Sequence, residues 1–375
     1  MNTEVSLSTR ALRTLWAHAP RLVVSLVIAG GFVWLFHKGG LPLLPPRSAF
    51  SKLQAWVVPT YAAITLTAMF LRTHRWVYLL RPIAPDISER RIVGIGMVGV
   101  AAILFAPLRM GEAARPYLLA RDGKVSFFQA LGAAGAERVV DGFVLTLVSA
   151  VALWASTPIS PLPDHLGNMP LPVSAIPRAV YVMLSVFSGA FAAMTVFYGA
   201  RAFARRVTQA VLGLVSAKLA NFVTSTLERL SDGLSFLASR ANGIRFSLET
   251  VAYWGVTFAG QWVLMRGCGI QGSFAEACVS LGVLGLGAIV PAGPGFFGAY
   301  QIAIYSGLAL YFSQATLVSS GAAMVFVSYA AQLVLTALAC AFGLWLLRGS
   351  VTTPPGQPHA IGTDADTQTS SGVNA

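Results

Sequence analysis

From Ala277 to Leu347 the chain carries no Asp, Glu, Lys or Arg. A bilayer core is about 30 Å thick and takes roughly 20 apolar residues per helix, so a stretch this long suits repeated crossings rather than one soluble core. The rest of the chain agrees. Of 375 residues, 55% are hydrophobic and 11% are charged, against roughly 25% charged in a typical soluble domain. Mean hydropathy is +0.68. Those values exclude a soluble globular enzyme, a disordered chain and a disulfide scaffold, and no polar stretch is long enough for a large catalytic domain. The reading is an all-α polytopic membrane protein with about six to eight transmembrane helices.

The net charge of +12 does not point to nucleic acid. The basic residues sit in short loops between apolar runs, where a bilayer sorts Lys and Arg. Three cysteines, Cys268, Cys278 and Cys340, form no CxxC pair. Cys268 and Cys278 could pair in an oxidising compartment, but small apolar residues in helices is the plainer reading. Five scattered histidines lack metal-ligand spacing. No metal or cofactor is expected.

Arg10, Arg13 and Glu4 precede an apolar run, Leu22–Phe36, that ends in Trp34 and Phe36 rather than a small-residue cleavage site. This reads as an uncleaved first span with a cytoplasmic N-terminus. A second uncharged run lies between Lys52 and Arg72. The loop with Arg72, Arg75, Arg81, Arg90 and Arg91 belongs in the cytoplasm by its charge. Ile92–Leu108 is a third apolar run, broken at Pro107. Phe143–Ser156 and Ala179–Ala200 are further spans, and the proline-rich loop Thr157–Pro177 between them faces outward. Residues 201–247 hold seven Lys or Arg and are cytoplasmic. Within them Val211, Val215, Leu219, Val223, Leu227, Leu230, Leu234 and Leu237 predict an amphipathic helix over about 207–240. It would lie along the inner leaflet or pair with another helix. Thr250–Met265 crosses outward, and a long helix closes the uncharged run around Ser320–Leu347. Residues 349–375 read as a disordered tail.

Two segments echo each other. Pro107-Leu-Arg-Met-Gly111 and Pro291-Ala-Gly-Pro-Gly295 share Pro-x-x-x-Gly at an offset of 184, and Gln129-Ala130 and Gln314-Ala315 follow at an offset of 185. In both, an apolar helix breaks at the proline and a long span comes later. Arginines flank residues 92–108 on both sides, so that segment reads as a re-entrant hairpin from the cytoplasm. The segment around 275–312 would enter from the outer face. Broken helices in an inverted repeat place a substrate site near the membrane midplane.

Arg109, Glu112, Arg115, Glu137, Arg138 and Asp141 abut apolar segments. Charges at membrane depth cost ~2.5–3.5 kcal/mol each on insertion scales, and they face a cavity or a partner. Glu137 and Asp141 are i,i+4 and share a helix face. Arginines suit an anionic head group, and the carboxylates would hold those arginines or meet a cationic group. The same charges could instead be salt bridges that fasten the hairpin to the next helix. At the second break, six of the eight residues of Pro291–Gly298 are Pro, Gly or Ala. Pro291, Gly293, Pro294, Gly295, Gly298 and Gln301 therefore read as a hinge or site wall rather than a kink.

The blocks Gly111–Arg115 (GEAAR), Glu137–Asp141 (ERVVD) and Val290–Gln301 (VPAGPGFFGAYQ), in this order and spacing, resemble the lysylphosphatidylglycerol synthase transmembrane-region family of flippase-like membrane proteins. The resemblance covers roughly residues 15–348. Many relatives carry a glutamate just after the second break, and here Gly298 and Gln301 stand in its place. Members with a fused aminoacyl-transfer domain make and flip aminoacylated lipid, and this chain has no such domain. The resemblance implies translocation or handling of a polar lipid, a phospholipid or related, without the synthase chemistry, and the leading reading is a bacterial inner-membrane protein whose partner is that lipid, moved between leaflets. With no nucleotide-binding motif, movement would be downhill or ion-coupled. Two alternatives stand beside this reading, a membrane-embedded lipid or sugar transferase and a non-transporting accessory subunit. The transferase fits less well, because His37–Lys52 has no acid and Thr157–Pro177 only Asp164.

Overall fold

The helices follow from where the chain is apolar and where it can be capped. A computed structural model describes residues 23–24, 26–106, 111–121, 123–200, 203, 206, 216–237, 239–288 and 292–348. Pro107, Arg109, Pro291, residues 1–22, the 207–215 part of the amphipathic stretch and the tail 349–375 lie outside the described residues. Twelve helices carry the argument: α1 (Leu26–Gly39), α2 (Val57–His74), α3 (Trp76–Leu80), α4 (Glu89–Phe105), α5 (Ala114–Ala120), α6 (Phe127–Trp154), α7 (Ile176–Gly199), α8 (Ala217–Asp232), α9 (Arg240–Gly267), α10 (Phe274–Gly287), α11 (Ala299–Ala309) and α12 (Ala322–Arg348). A short helix, Gln314–Thr316, and a π-helical turn, Leu317–Gly321, lead into α12.

Two of the starts are capping boxes. The backbone N–H of Gln129 donates to Ser126 Oγ at 3.2 Å, and Ser126 N–H donates back to Gln129 Oε1 at 3.0 Å. Ser273 and Glu276 repeat the pattern at the start of α10, at 3.2 and 2.9 Å. Each box satisfies two orphan donors and fixes where the helix begins.

Hydrogen bonds between connections sort the helix ends into two groups. At one end Lys124 Nζ donates to the Asp86 carbonyl at 3.3 Å, Arg90 Nε to the Leu346 carbonyl at 3.1 Å, and Gln129 Nε2 to Asp232 Oδ2 at 3.3 Å. At the other, Gln54 N–H donates to Gly267 O, Asn168 N–H to Gly39 O and Ile159 N–H to Leu310 O, each at 2.9 Å. The α4–α5 hairpin therefore starts and finishes at the arginine-rich end. The α10–α11 hairpin starts after Gly272, beside Trp262, and finishes at Leu310, both at the opposite end.

Polarity is turned inside out relative to a soluble protein. Val182, Val186 and Val196 on α7, Leu248 and Val251 on α9, and Leu338 and Trp345 on α12 are exposed, whereas Arg75, Arg115, Glu137 and Asp141 are buried. Exposed apolar area on this scale marks a lipid-facing or partner-facing surface. By length and composition, Val173–Gly199 and Gln314–Arg348 qualify as spans. The similarly long α6 carries Glu137, Arg138 and Asp141 near its middle, and α9 carries Arg240, Arg245, Glu249 and Arg266.

Close helix approach is bought with small residues. Where α4 crosses α12, a Cβ on Gly94 would lie 3.1 Å from the Gly343 carbonyl oxygen, and one on Gly343 would lie 2.9 Å from that of Gly94. The amphipathic stretch stops short of residue 240. The helix ends at Asp232, and glycine at 233 lets the chain pass close over α6, where a Cβ would sit 2.4 Å from the Gln129 carbonyl oxygen. Arg240 already opens α9. Cys268 and Cys278 are buried free thiols, and Cys340 is a half-buried one.

Candidate functional site

The site is organised around Arg75. It is the residue that joins α2 to α3, and it is 0% exposed. Its guanidinium enters between α6 and α9. Nη1 donates to Asp141 Oδ1 at 2.7 Å, and Nη2 to Asp141 Oδ2 at 2.6 Å and Glu137 Oε1 at 2.7 Å. Thr250 Oγ1 accepts a longer bond from Nη1 at 3.3 Å. The cation also lies over the Tyr253 ring at 4.9 Å from its centroid and the Phe246 ring at 5.7 Å. Taking a charge out of water costs several kcal/mol, offset only when geometry is good and remaining lone pairs are satisfied. Two indoles supply that satisfaction for the carboxylates, while Arg75 Nε has no hydrogen-bond partner among the described residues. Trp76 Nε1 donates to Glu137 Oε2 at 2.7 Å and Trp254 Nε1 to Asp141 Oδ1 at 3.1 Å.

Arg115 closes the cluster from α5. Its Nη1 lies 3.0 Å from Glu137 Oε2, and its guanidinium stacks over Trp76 at 4.5 Å. Room for it comes from Gly99 on α4, where a Cβ would fall 1.9 Å from Arg115 Cγ. Glu137 thus meets two arginines and an indole with no exposure at all.

In front of this buried layer is a cavity of about 450 Å³. Arg72, Glu112, Arg138 and Asp141 line one side of it. The walls are apolar side chains from both hairpins, α6 and α7, including Ile103, Leu104, Leu145, Phe187, Leu281 and Leu284. Phe296, Tyr300 and Gln332 line it from the second break and α12. Arg138 Nη2 donates to Glu112 Oε2 at 2.8 Å, and the two side chains remain 37% and 42% exposed. A pair so open is worth under about 1 kcal/mol and can exchange partners. Arg72 lies one turn before Arg75, and its buried Nε has no hydrogen-bond partner among the described residues. Among the described residues, Arg72, Arg75, Arg115 and Arg138 face Glu112, Glu137 and Asp141, so four cations meet three anions and one positive charge is in excess. Among the described residues no three His, Cys, Asp or Glu side chains converge on a metal-sized site.

The family model for the lysylphosphatidylglycerol synthase TM region matches residues 22–338. The chain belongs to this family. No curated protein and no solved structure matches it. The matched region of this lysylphosphatidylglycerol synthase TM-region protein contains every residue that lines the cavity. The family and the apolar helices make it a membrane protein related to lipid handling.

The residues singled out from sequence fall into three groups. Glu112, Arg138 and Asp141 line the cavity, whereas Arg115 and Glu137 lie behind it and hold its wall. Gly293, Pro294, Gly295, Gly298 and Gln301 shape the second break, and their neighbours Phe296 and Tyr300 are the ones that face the cavity. Gly295 and Gly298 have φ of +72° and +89°, the left-handed region that favours glycine. Gly298 also lies against Phe32 of α1. Gln301 accepts from the Gly298 N–H at 2.8 Å and so closes the first turn of α11. Arg109 and Pro291 lie outside the described residues. Sequence reasoning missed Arg72 and Arg75, which it counted as loop arginines, and also Trp254, Tyr300 and Gln332. For Arg75 a signal existed, since the wholly apolar Trp76–Leu80 follows directly.

Proposed function

We propose that this protein moves a polar lipid, a phospholipid or a close relative, between the leaflets of a bacterial inner membrane, without covalent chemistry. The observation that carries the reading is the cavity between the two hairpins, lined by four charged side chains and otherwise mostly by apolar ones. A lipid has the same division. Its phosphate would meet Arg72 and Arg138, whose planar forks suit phosphate oxygens, and its acyl carbons would meet the leucine and phenylalanine walls. The single excess positive charge suits one phosphodiester. Glu112 keeps one oxygen free of Arg138 for a hydroxyl or ammonium of the head group.

The two hairpins, returning to opposite ends of the helices, support an inverted repeat, and such repeats put sites near the midplane. The crowding of arginines at one end supports a cytoplasmic location for that end and for both termini.

The test is lipid exposure in vesicles that carry a quenchable fluorescent phosphatidylglycerol. The protein should raise the rate above protein-free vesicles. Arg138→Ala or Arg72→Gln should lower it about tenfold or more, the equivalent of one charge-assisted hydrogen bond of about 1.5 kcal/mol. Equal rates with and without protein would overturn the reading.

A further inference from the structure

The cavity is not the only void on α6 and α7. An apolar groove of about 440 Å³ runs along the seam between these helices, floored by Gly135, Val139, Ala190 and Met194. One turn further along the same seam, Gly142 of α6 and Phe187 of α7 belong to the cavity lining instead. Between the two voids the Phe187 ring lies on Gly142, so close that a Cβ there would fall 2.1 Å from ring atom Cε1.

The wall that holds Phe187 is attached almost wholly to α6. Within α7 only Val180 and Met194 are buried, and Val182 and Val186 beside Phe187 are exposed. Phe143 stacks on Phe191 at 5.2 Å between centroids and is an aromatic tie across the seam. A ring on a bare glycine, on a helix with so little buried area, can swing aside at small cost in packing.

We propose that Phe187 is the gate of an acyl-chain path. A chain of a bilayer lipid lies in the α6–α7 groove and passes Phe187 into the cavity, while the head group reaches Arg72 and Arg138. The occupant is an acyl chain because the groove is lined by glycine and apolar side chains alone, and the Phe187 ring, beside the Phe143–Phe191 stack, stands where it meets the leucine and phenylalanine wall of the cavity. This inference rests on the lipid reading of the cavity, and it adds the route of entry and the residue that controls it.

Three full-length proteins are compared in vesicles of phosphatidylethanolamine and phosphatidylglycerol containing the fluorescent phosphatidylglycerol: wild type, Phe187→Ala and Phe187→Trp. Removing the ring should raise the exposure rate severalfold, and the larger indole should lower it severalfold. In parallel, p-benzoylphenylalanine in place of Phe187 is irradiated with an alkyne-tagged phosphatidylglycerol, with the same probe at the lipid-facing Val182 as reference. The crosslink at 187 should fall when Arg138→Ala is added, and the one at 182 should not. If wild type moves lipid and both monodisperse Phe187 variants match its rate, the gate is overturned and the cavity reading stands. If the 187 crosslink ignores Arg138→Ala while the variants do change the rate, the path does not lead to the head-group site and the proposal also fails. If wild type moves no lipid, the underlying reading fails first.

Discussion

Arg75 and Arg138 bind carboxylates 2.6–2.8 Å away and differ almost entirely in exposure. Methionine in place of Arg75 would leave Glu137 and Asp141 facing each other across a dry gap. Breaking a buried pair this way costs about 3–5 kcal/mol, so Arg75→Met should sharply lower the melting temperature in detergent, or abolish folded yield. Arg138→Met removes a pair worth under about 1 kcal/mol, so its melting temperature should stay within a few degrees of wild type while lipid movement falls. Part of this was legible in the sequence. The i,i+4 spacing of Glu137 and Asp141 already put them on one helix face, and the cost of charge at membrane depth already required a partner. Which cation would answer them was not legible. Arg75 is 62 residues from Glu137, and counting loop charges treats a helix-end arginine as solvated whether or not its head turns inward.

Single glycines set the packing of whole elements. Leucine at Gly343 would push into the Gly94 carbonyl and Met97 and force α4 off α12. Gly255 on α9 has open space around it. Gly343→Leu should lose folded protein on size-exclusion chromatography, and Gly255→Leu should elute as wild type. Gly99→Ala tests the first hairpin more finely, since the added methyl meets Arg115 Cγ. It should lower the melting temperature by the equivalent of about 1–3 kcal/mol, the usual cost of overpacking. The second break needs different handling. Leucine at Gly295 would be strained by the +72° φ alone, whatever its effect on a lipid path, so Tyr300→Ala, on the cavity wall, is the cleaner probe of function. Both breaks were visible as Pro-x-x-x-Gly in the sequence. The end of α8 was not, because the leucine periodicity runs on through Leu234 and Leu237. Where it ends, glycine at 233 packs close against Gln129, more than a hundred residues earlier.

For the molecule as a whole, the distribution of arginines should read out as sidedness. Asp86 and Asp164 are exposed and lie in connections at opposite ends. In intact cells, a membrane-impermeant thiol reagent should label Asp164→Cys and should reach Asp86→Cys only after permeabilisation. Cys268 and Cys278 are buried and can be retained, whereas the half-buried Cys340 is replaced by Ala in both proteins. The all-helical membrane class was legible from composition and from the length of the apolar runs, because a spanning backbone must pair its own polar groups and a run of about 20 apolar residues does so as a helix. The cavity was not, since it exists only where two hairpins, α6, α7, α9 and α12 meet, and no local pattern encodes that meeting. The most direct test of a head group held by Arg72 and Arg138 is mass spectrometry of the lipid that stays bound through purification in mild detergent. Wild type should retain a phosphate-bearing lipid, and a monodisperse Arg72→Gln, Arg138→Gln double variant should lose most of it. The same lipid at the same stoichiometry in both proteins would contradict the assignment of this cavity as a lipid head-group site.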